Sequence, residues 1–98
     1  MTILDRNIQV ARTLSAVVTD TSGAPIANAV VDETDENWKG SLRTTRTDAT
    51  GTFAFEPVKG RKIYYFHLSA DGFKFLDVRI KVDDKKGKPL TLQMQAGN

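Results

Sequence analysis

The sequence contains no cysteine, a single histidine and a single tryptophan among 98 residues. Without cysteine the chain has no disulfides, no thiolate metal ligands and no cysteine nucleophile. A serine or threonine nucleophile needs a base that a third group holds in place, and His67 is the one histidine available for that role. We interpret His67 as an outward-facing strand residue. We therefore predict no catalytic residues and no enzymatic activity.

Long apolar segments are also missing. No stretch approaches the roughly 20 residues that cross a bilayer, and residues 1–10 lack a basic run followed by an apolar stretch. We expect no membrane span and no signal peptide within the chain, and these features leave the compartment open. Hydrophobic residues make up 40% and charged residues 27% of the chain, which is typical of one folded domain.

The net charge of +2 conceals an uneven distribution along the chain. Residues 1–58 carry five basic and eight acidic side chains, whereas residues 59–98 carry nine basic and four acidic ones. Because no nucleic-acid motif accompanies the basic residues, we interpret them as solubility and edge-protection lysines rather than a nucleic-acid surface. A second hypothesis is that the acidic residues 32–36 of one copy meet the basic loops 59–62 or 85–88 of another copy or a neighbouring domain.

Apolar and polar residues alternate with period two along most of the chain, and turn residues recur about every ten positions. This pattern is typical of an all-β sandwich. It predicts seven strands, with the strand at 62–70 central and the Thr- and Arg-rich strand at 42–47 near a sheet edge. The predicted strands cover residues 13–19, 26–34, 42–47, 53–55, 62–70, 76–82 and 90–94.

Four segments in order carry a family resemblance: residues 14–31 (LSAVVTDTSGAPIANAVV), 47–55 (TDATGTFAF), 68–73 (LSADGF) and 90–94 (LTLQM). The second is the most specific, because its spacing fixes a turn at Gly51 and directs Phe53 and Phe55 to one face. Together the segments resemble the carboxypeptidase-regulatory-like domain family. Two departures stand out, Glu33 at a normally apolar position and a longer, more basic approach at residues 59–62.

The resemblance implies a seven-stranded Greek-key β-sandwich of the transthyretin-like or immunoglobulin-like kind over residues 13–98. Residues 1–12 show no firm pattern, and we interpret them as an N-terminal linker or an extra strand. The resemblance also favours an extracytoplasmic or cell-surface location.

The densest candidate site lies between the second and third predicted strands. Its four carboxylates are weak candidates for a calcium ion, with a solvated acidic loop as the alternative; they are Asp32, Glu33, Asp35 and Glu36. The tryptophan that follows either forms an exposed stacking platform or folds back to cap the sandwich. The candidate contact residues for a ligand or partner are Trp38, Lys39, Lys59, Arg61 and Lys62.

Three functional hypotheses remain open at this point. The first is a non-catalytic accessory domain, a structural spacer or protein-recognition module whose partner is a protein or a neighbouring domain. The second is a carbohydrate- or surface-binding module that uses Trp38 and the acidic loop, with or without calcium. The third is a non-catalytic subunit that completes the active site of a partner enzyme. No cofactor is expected for any of them apart from that calcium ion.

Overall fold

The computed structural model describes residues 2–97 and contains eight β-strands and no helix in that part of the chain. The all-β prediction is confirmed. In chain order the strands are β1 (Thr2–Ala11), β2 (Ser15–Thr19), β3 (Val30–Thr34), β4 (Arg43–Arg46), β5 (Thr52–Ala54), β6 (Ile63–Ser69), β7 (Phe75–Val82) and β8 (Thr91–Gln93).

The strands form two sheets of unequal size, an arrangement consistent with a β-sandwich. The larger has the order β1-β7-β6-β3-β4 and the smaller the order β5-β2-β8. Both sheets are mixed, because β1 runs parallel to β7 and β8 runs parallel to β2. As predicted, β6 is central and β4 is an edge strand of the larger sheet.

Buried side chains from both sheets form one core. The alternation of β6 directs Tyr64, Phe66 and Leu68 inward, and the alternation of β7 does the same for Leu76, Val78 and Ile80. Phe66 is the centre of an aromatic cluster, with ring centroids 5.9 Å from Phe53 and 5.2 Å from Phe55. The predicted TDATGTFAF hairpin thus delivers both of its phenylalanines to the core.

The eighth strand, β1, accounts for the difference from the seven strands predicted. It pairs with β7, but its register shifts between Leu4 and Ile8, so three β1 residues bulge opposite Val78. Ile3 packs against the core, whereas Leu4, Ile8 and Val10 are exposed. The bulge consists of the polar residues 5–7, which separate the apolar residues at the two ends of the segment, so no continuous alternation of apolar and polar residues is visible in the sequence.

Candidate functional site

The outward side of the five-stranded sheet carries most of the exposed large apolar side chains. Paired residues of neighbouring strands share a face, so the register aligns three cross-strand rows on this surface, which we call the outer face. The rows are Ile63–Lys81–Val10, Tyr65–Arg79–Ile8 and His67–Asp77–Leu4, each ordered from β6 through β7 to β1.

Five large apolar side chains of the outer face are between 38% and 45% exposed: Leu4, Ile8, Val10, Ile63 and Phe75. Apolar side chains grouped on one exposed face, with polar groups around them, are typical of interaction surfaces. None of them was a candidate in the sequence, although the inward alternation of β6 and β7 would have placed Ile63 and Phe75 outward.

The charged groups on the outer face differ in how they are compensated. His67 Nδ1 lies 2.6 Å from Asp77 Oδ1, so this pair satisfies itself. Arg79 and Lys81 are half-buried and form no ion pair within residues 2–97. Arg79 donates from Nη2 to the Arg6 carbonyl at 2.8 Å, and its Nε is buried without an acceptor in that part of the chain.

Trp38 reaches the outer face from the β3–β4 loop through a turn headed by Asp35. Asp35 Oδ1 accepts hydrogen bonds from the backbone N–H groups of Asn37 (2.8 Å) and Lys39 (3.0 Å). The backbone N–H of Trp38 donates a hydrogen bond to the Asp35 carbonyl at 2.9 Å, which closes the turn. This conformation gives Trp38 a φ of 56°.

Within residues 2–97 the same turn occurs at two other places, with glycine in place of tryptophan. Asp20 and Asp48 each accept hydrogen bonds from the backbone N–H groups two and four positions on, and Gly23 (φ 88°) and Gly51 (φ 78°) occupy the third position. A left-handed backbone costs a residue with a Cβ about 1–2 kcal/mol. Trp38 is therefore a bulky side chain at a position where the backbone favours glycine, and this local strain favours a role for the indole.

The Trp38 indole lies against the sheet instead of projecting into solvent. Its ring is edge-on to Tyr65 at 5.4 Å between centroids and 87° between planes. Its Nε1 donates to the Val78 carbonyl at 3.3 Å, and the side chain is half-buried. The orientation of the indole is thus fixed beside the row that contains Tyr65 and Arg79.

The four candidate carboxylates do not converge. Asp32 and Glu33 are consecutive in β3 and point to opposite faces; Asp32 accepts from the hydroxyls of Thr44 and Ser41 on the outer side. Asp35 is occupied by its own turn, and Glu36 is exposed. Within residues 2–97 no three histidine, cysteine or acidic side chains are grouped as metal ligands. The calcium hypothesis receives no geometric support from this loop.

Glu33 is instead buried between two arginines. Its side chain is 2% exposed; Oε1 lies 2.5 Å from Arg43 Nε and Oε2 lies 2.8 Å from Arg61 Nη1. Arg43 also stacks over the Phe55 ring at 5.0 Å and donates to the Glu56 carbonyl at 2.7 Å. The sequence marked Glu33 as anomalous, but its two partners were not apparent.

The basic contact candidates lie at the same end of the sandwich as Glu33. The Tyr64 hydroxyl accepts from the Val58 N–H at 2.8 Å and lies 2.9 Å from the Arg61 carbonyl, which fixes the loop before β6. Lys39, Lys59 and Lys62 are exposed. Glu33 and Arg61 pair within the chain, so these two charges are already compensated and do not contribute to the hypothesised contact between copies.

An open cleft of about 360 Å³ lies between the acidic loop and the start of β6. Its lining includes Glu36, Arg61, Ile63 and Tyr65, and it opens next to the outer face. A larger open cleft of about 700 Å³ lies at the opposite end, where its walls include Asn28, Arg46 and Phe73. Of the two, only the first is lined by candidate site residues, namely Arg61 and the carboxylates Glu33, Asp35 and Glu36.

No helix in residues 2–97 is long and apolar enough to cross a membrane.

Comparison with known proteins gives one clear match. No curated protein matches the chain. A family model described as carboxypeptidase regulatory-like domain matches residues 13–95, so it covers β2 to β8 and leaves β1 outside. The chain is therefore a member of the carboxypeptidase regulatory-like domain family.

Proposed function

We propose that this protein is a non-catalytic accessory module that docks onto a protein partner or neighbouring domain through the outer face of its five-stranded sheet. The observation that carries the proposal is the grouping of Leu4, Ile8, Val10, Ile63 and Phe75, each more than a third exposed, on that one face. Interface cores are enriched in aromatic and apolar side chains, with polar and charged groups at the rim.

The fixed aromatic pair strengthens this assignment. Tyr65 is paired with Arg79 on the outer face, and Trp38 packs edge-on against Tyr65. Tryptophan, tyrosine and arginine are the residues most enriched among those that dominate binding energy. A tryptophan whose orientation is fixed before binding loses less side-chain entropy when a partner covers it.

Site-specific photo-crosslinking tests the proposal. A photoreactive benzoylphenylalanine is introduced at position 75 on the outer face or at position 58, and the protein is irradiated in the cells that produce it. Val58 is the matched control because it is 38% exposed but lies in the loop before β6, outside the outer face. We expect one discrete adduct from position 75, abolished by Ile63→Glu and retained with Val58→Glu. No adduct, or the same adduct from both positions, would favour the structural spacer.

Carbohydrate binding is the second candidate, and the cleft of about 360 Å³ beside the Trp38 loop favours it. Glu36 and Arg61 could hydrogen-bond sugar hydroxyls there while Tyr65 packs against the ring. A glycan array compares the wild-type chain with Trp38→Ala and Tyr65→Ala. Binding that is lost in both variants would favour the carbohydrate module over protein docking.

A further inference from the structure

The end of the outer face nearest Trp38 combines positive charge with apolar surface. Lys81 lies between Ile63 and Val10, and Arg79 lies between Tyr65 and Ile8. Each cation therefore has an apolar side chain on both neighbouring strands. The aliphatic stems of Lys and Arg pack along such surface and leave the charged ends at its top.

Arg79 and Lys81 differ from the neighbouring charged side chains in having no ion-pair partner within residues 2–97. Asp77 on the same strand is paired with His67, and Arg43 and Arg61 share Glu33. Arg79 and Lys81 are half-buried and form no ion pair within residues 2–97. The pKa of Asp83 is lowered chiefly by hydrogen bonds from the backbone N–H groups of Lys86 and Lys85, and the Lys81 charge makes a smaller contribution. The Arg6 carbonyl is the one acceptor that Arg79 meets in that part of the chain.

We infer that the outer face binds an acidic polypeptide segment in which carboxylates alternate with apolar side chains. The inference rests on the proposed docking function and specifies its partner. The carboxylates pair with Arg79 and Lys81, and the apolar side chains cover Ile8, Val10 and Ile63. Charge-assisted hydrogen bonds to carboxylates are stronger than neutral ones, and they gain strength as the apolar flanks exclude water.

The arrangement also orients the segment and disfavours a nucleic acid. The Asp77 and Asp32 side chains occupy the next row toward the other end of the outer face. The acidic part of the segment therefore lies over Arg79 and Lys81 and away from these two carboxylates. Single-stranded nucleic acid binds stacking aromatic rings set along a continuous basic groove. Here three of the four side chains that flank the cations are aliphatic, and the Trp38 and Tyr65 rings beside Arg79 pack edge-on against each other rather than in a row. This surface favours an apolar peptide.

Three synthetic peptides of matched length provide the probes. One alternates leucine with glutamate, the second replaces glutamate by glutamine, and the third replaces it by lysine; an oligothymidylate of similar length is the nucleic-acid probe. Binding is followed by isothermal titration calorimetry and by the fluorescence of Trp38, the one tryptophan in the sequence. The variants are Lys81→Gln and Arg79→Gln, and the matched control is the exposed Lys86→Gln.

We expect the leucine–glutamate peptide to bind at low salt and to weaken as salt is raised. Each of Lys81→Gln and Arg79→Gln should weaken it by about fivefold, the effect of losing one partly exposed ion pair, while Lys86→Gln leaves it unchanged. Lys81→Gln is the safer variant, because Arg79 also contacts the β1 backbone.

Several results would overturn the inference. If the glutamine peptide bound as tightly as the glutamate peptide, and Ile63→Glu abolished that binding, the docking function would stand but the acidic partner would be refuted. Tighter binding of the lysine peptide or of the oligothymidylate would identify a different ligand chemistry. Absence of binding by all probes would refute the acidic segment, whereas the crosslinking from position 75 would decide the docking function separately.

Discussion

Replacing Arg43 by methionine removes one of the two cations that hold the buried Glu33 carboxylate. The change deletes the Nε–Oε1 contact, the hydrogen bond to the Glu56 carbonyl and the stacking over Phe55. Arg61 remains 2.8 Å from the other carboxylate oxygen. The variant therefore leaves Glu33 with half of its counter-charge while preserving most of the side-chain volume.

The expected loss follows from the burial of the three side chains. Leaving a buried charge unpaired costs about 3–5 kcal/mol, and the remaining Arg61 reduces this to about 2 kcal/mol for Arg43→Met. Arg61→Met should cost less, about 1 kcal/mol, because the Arg61 side chain is 44% exposed against 32% for Arg43, and water screens its ion pair more. The double variant should lose about 4 kcal/mol, more than the two single losses together, since Glu33 then has no cation.

Urea unfolding followed by circular dichroism measures these differences, and thermal unfolding gives a second readout. A loss of about 2 kcal/mol should lower the midpoint of a domain of this size by roughly 8–16 °C. Adding Glu33→Leu to the double variant should restore most of the lost stability, because an apolar set of similar volume replaces the buried charge. An Arg43→Met loss below about 0.5 kcal/mol, the range of ordinary surface substitutions, would refute the reasoning, as would a triple variant no more stable than the double.

Three further predictions concern the turns headed by aspartate. In urea unfolding, Gly51→Ala should lower the free energy of unfolding by at least about 2 kcal/mol, and Gly23→Ala should lower it by only about 1 kcal/mol. Both glycines have a positive φ, but a Cβ at Gly51 would lie 2.7 Å from the Val18 carbonyl oxygen, whereas a Cβ at Gly23 meets nothing within 4 Å. Trp38→Gly should be more stable than Trp38→Ala by about 1 kcal/mol, because both lose the indole and only alanine keeps the strained φ; equal stabilities would show that the Trp38 backbone is unstrained. Hydrogen bonds from the Thr50 hydroxyl and the Thr52 N–H lower the pKa of Asp48 below its usual 3.8. The stability from this carboxylate is therefore present above pH 3.8 and lost as pH falls through the lower folded value, so Asp48→Asn should weaken the acid dependence of the thermal midpoint.

The regular strands could be predicted because their alternation is local. In β6 and β7 each inward apolar residue is separated from the next by one outward residue, and the sequence shows this without knowledge of the partner strand. In β1 three residues stand opposite one residue of β7, and apolar side chains face both sides of the strand, Ile3 inward and Leu4 and Ile8 outward. The segment therefore shows no clear inward face until β7 is placed beside it. The parallel pairing adds no hairpin turn that would have indicated a partner.

The candidate site was harder to predict because its contacts join distant segments. Glu33 and Arg61 are separated by 28 positions, and Trp38 and Val78 by 40, so neither contact has a local signature. The Asp35 turn was missed for a different reason. Tryptophan stands where glycine marks the matching turns, and without that glycine the shared hydrogen-bond pattern is concealed.

The position of β1 links the family assignment to the specific function proposed here. The family model covers residues 13–95, in which β7 is the last strand on its side of the larger sheet. Strand β1 adds Leu4, Ile8 and Val10 alongside it, and these residues flank Asp77, Arg79 and Lys81. Membership of the family therefore accounts for the sandwich. Arg79 and Lys81 form no ion pair within residues 2–97, and two of the four side chains that flank them, Ile8 and Val10, lie outside the family match. If the outer face docks an acidic segment, its specificity depends on β1, and family members without such a strand would present β7 as a bare edge.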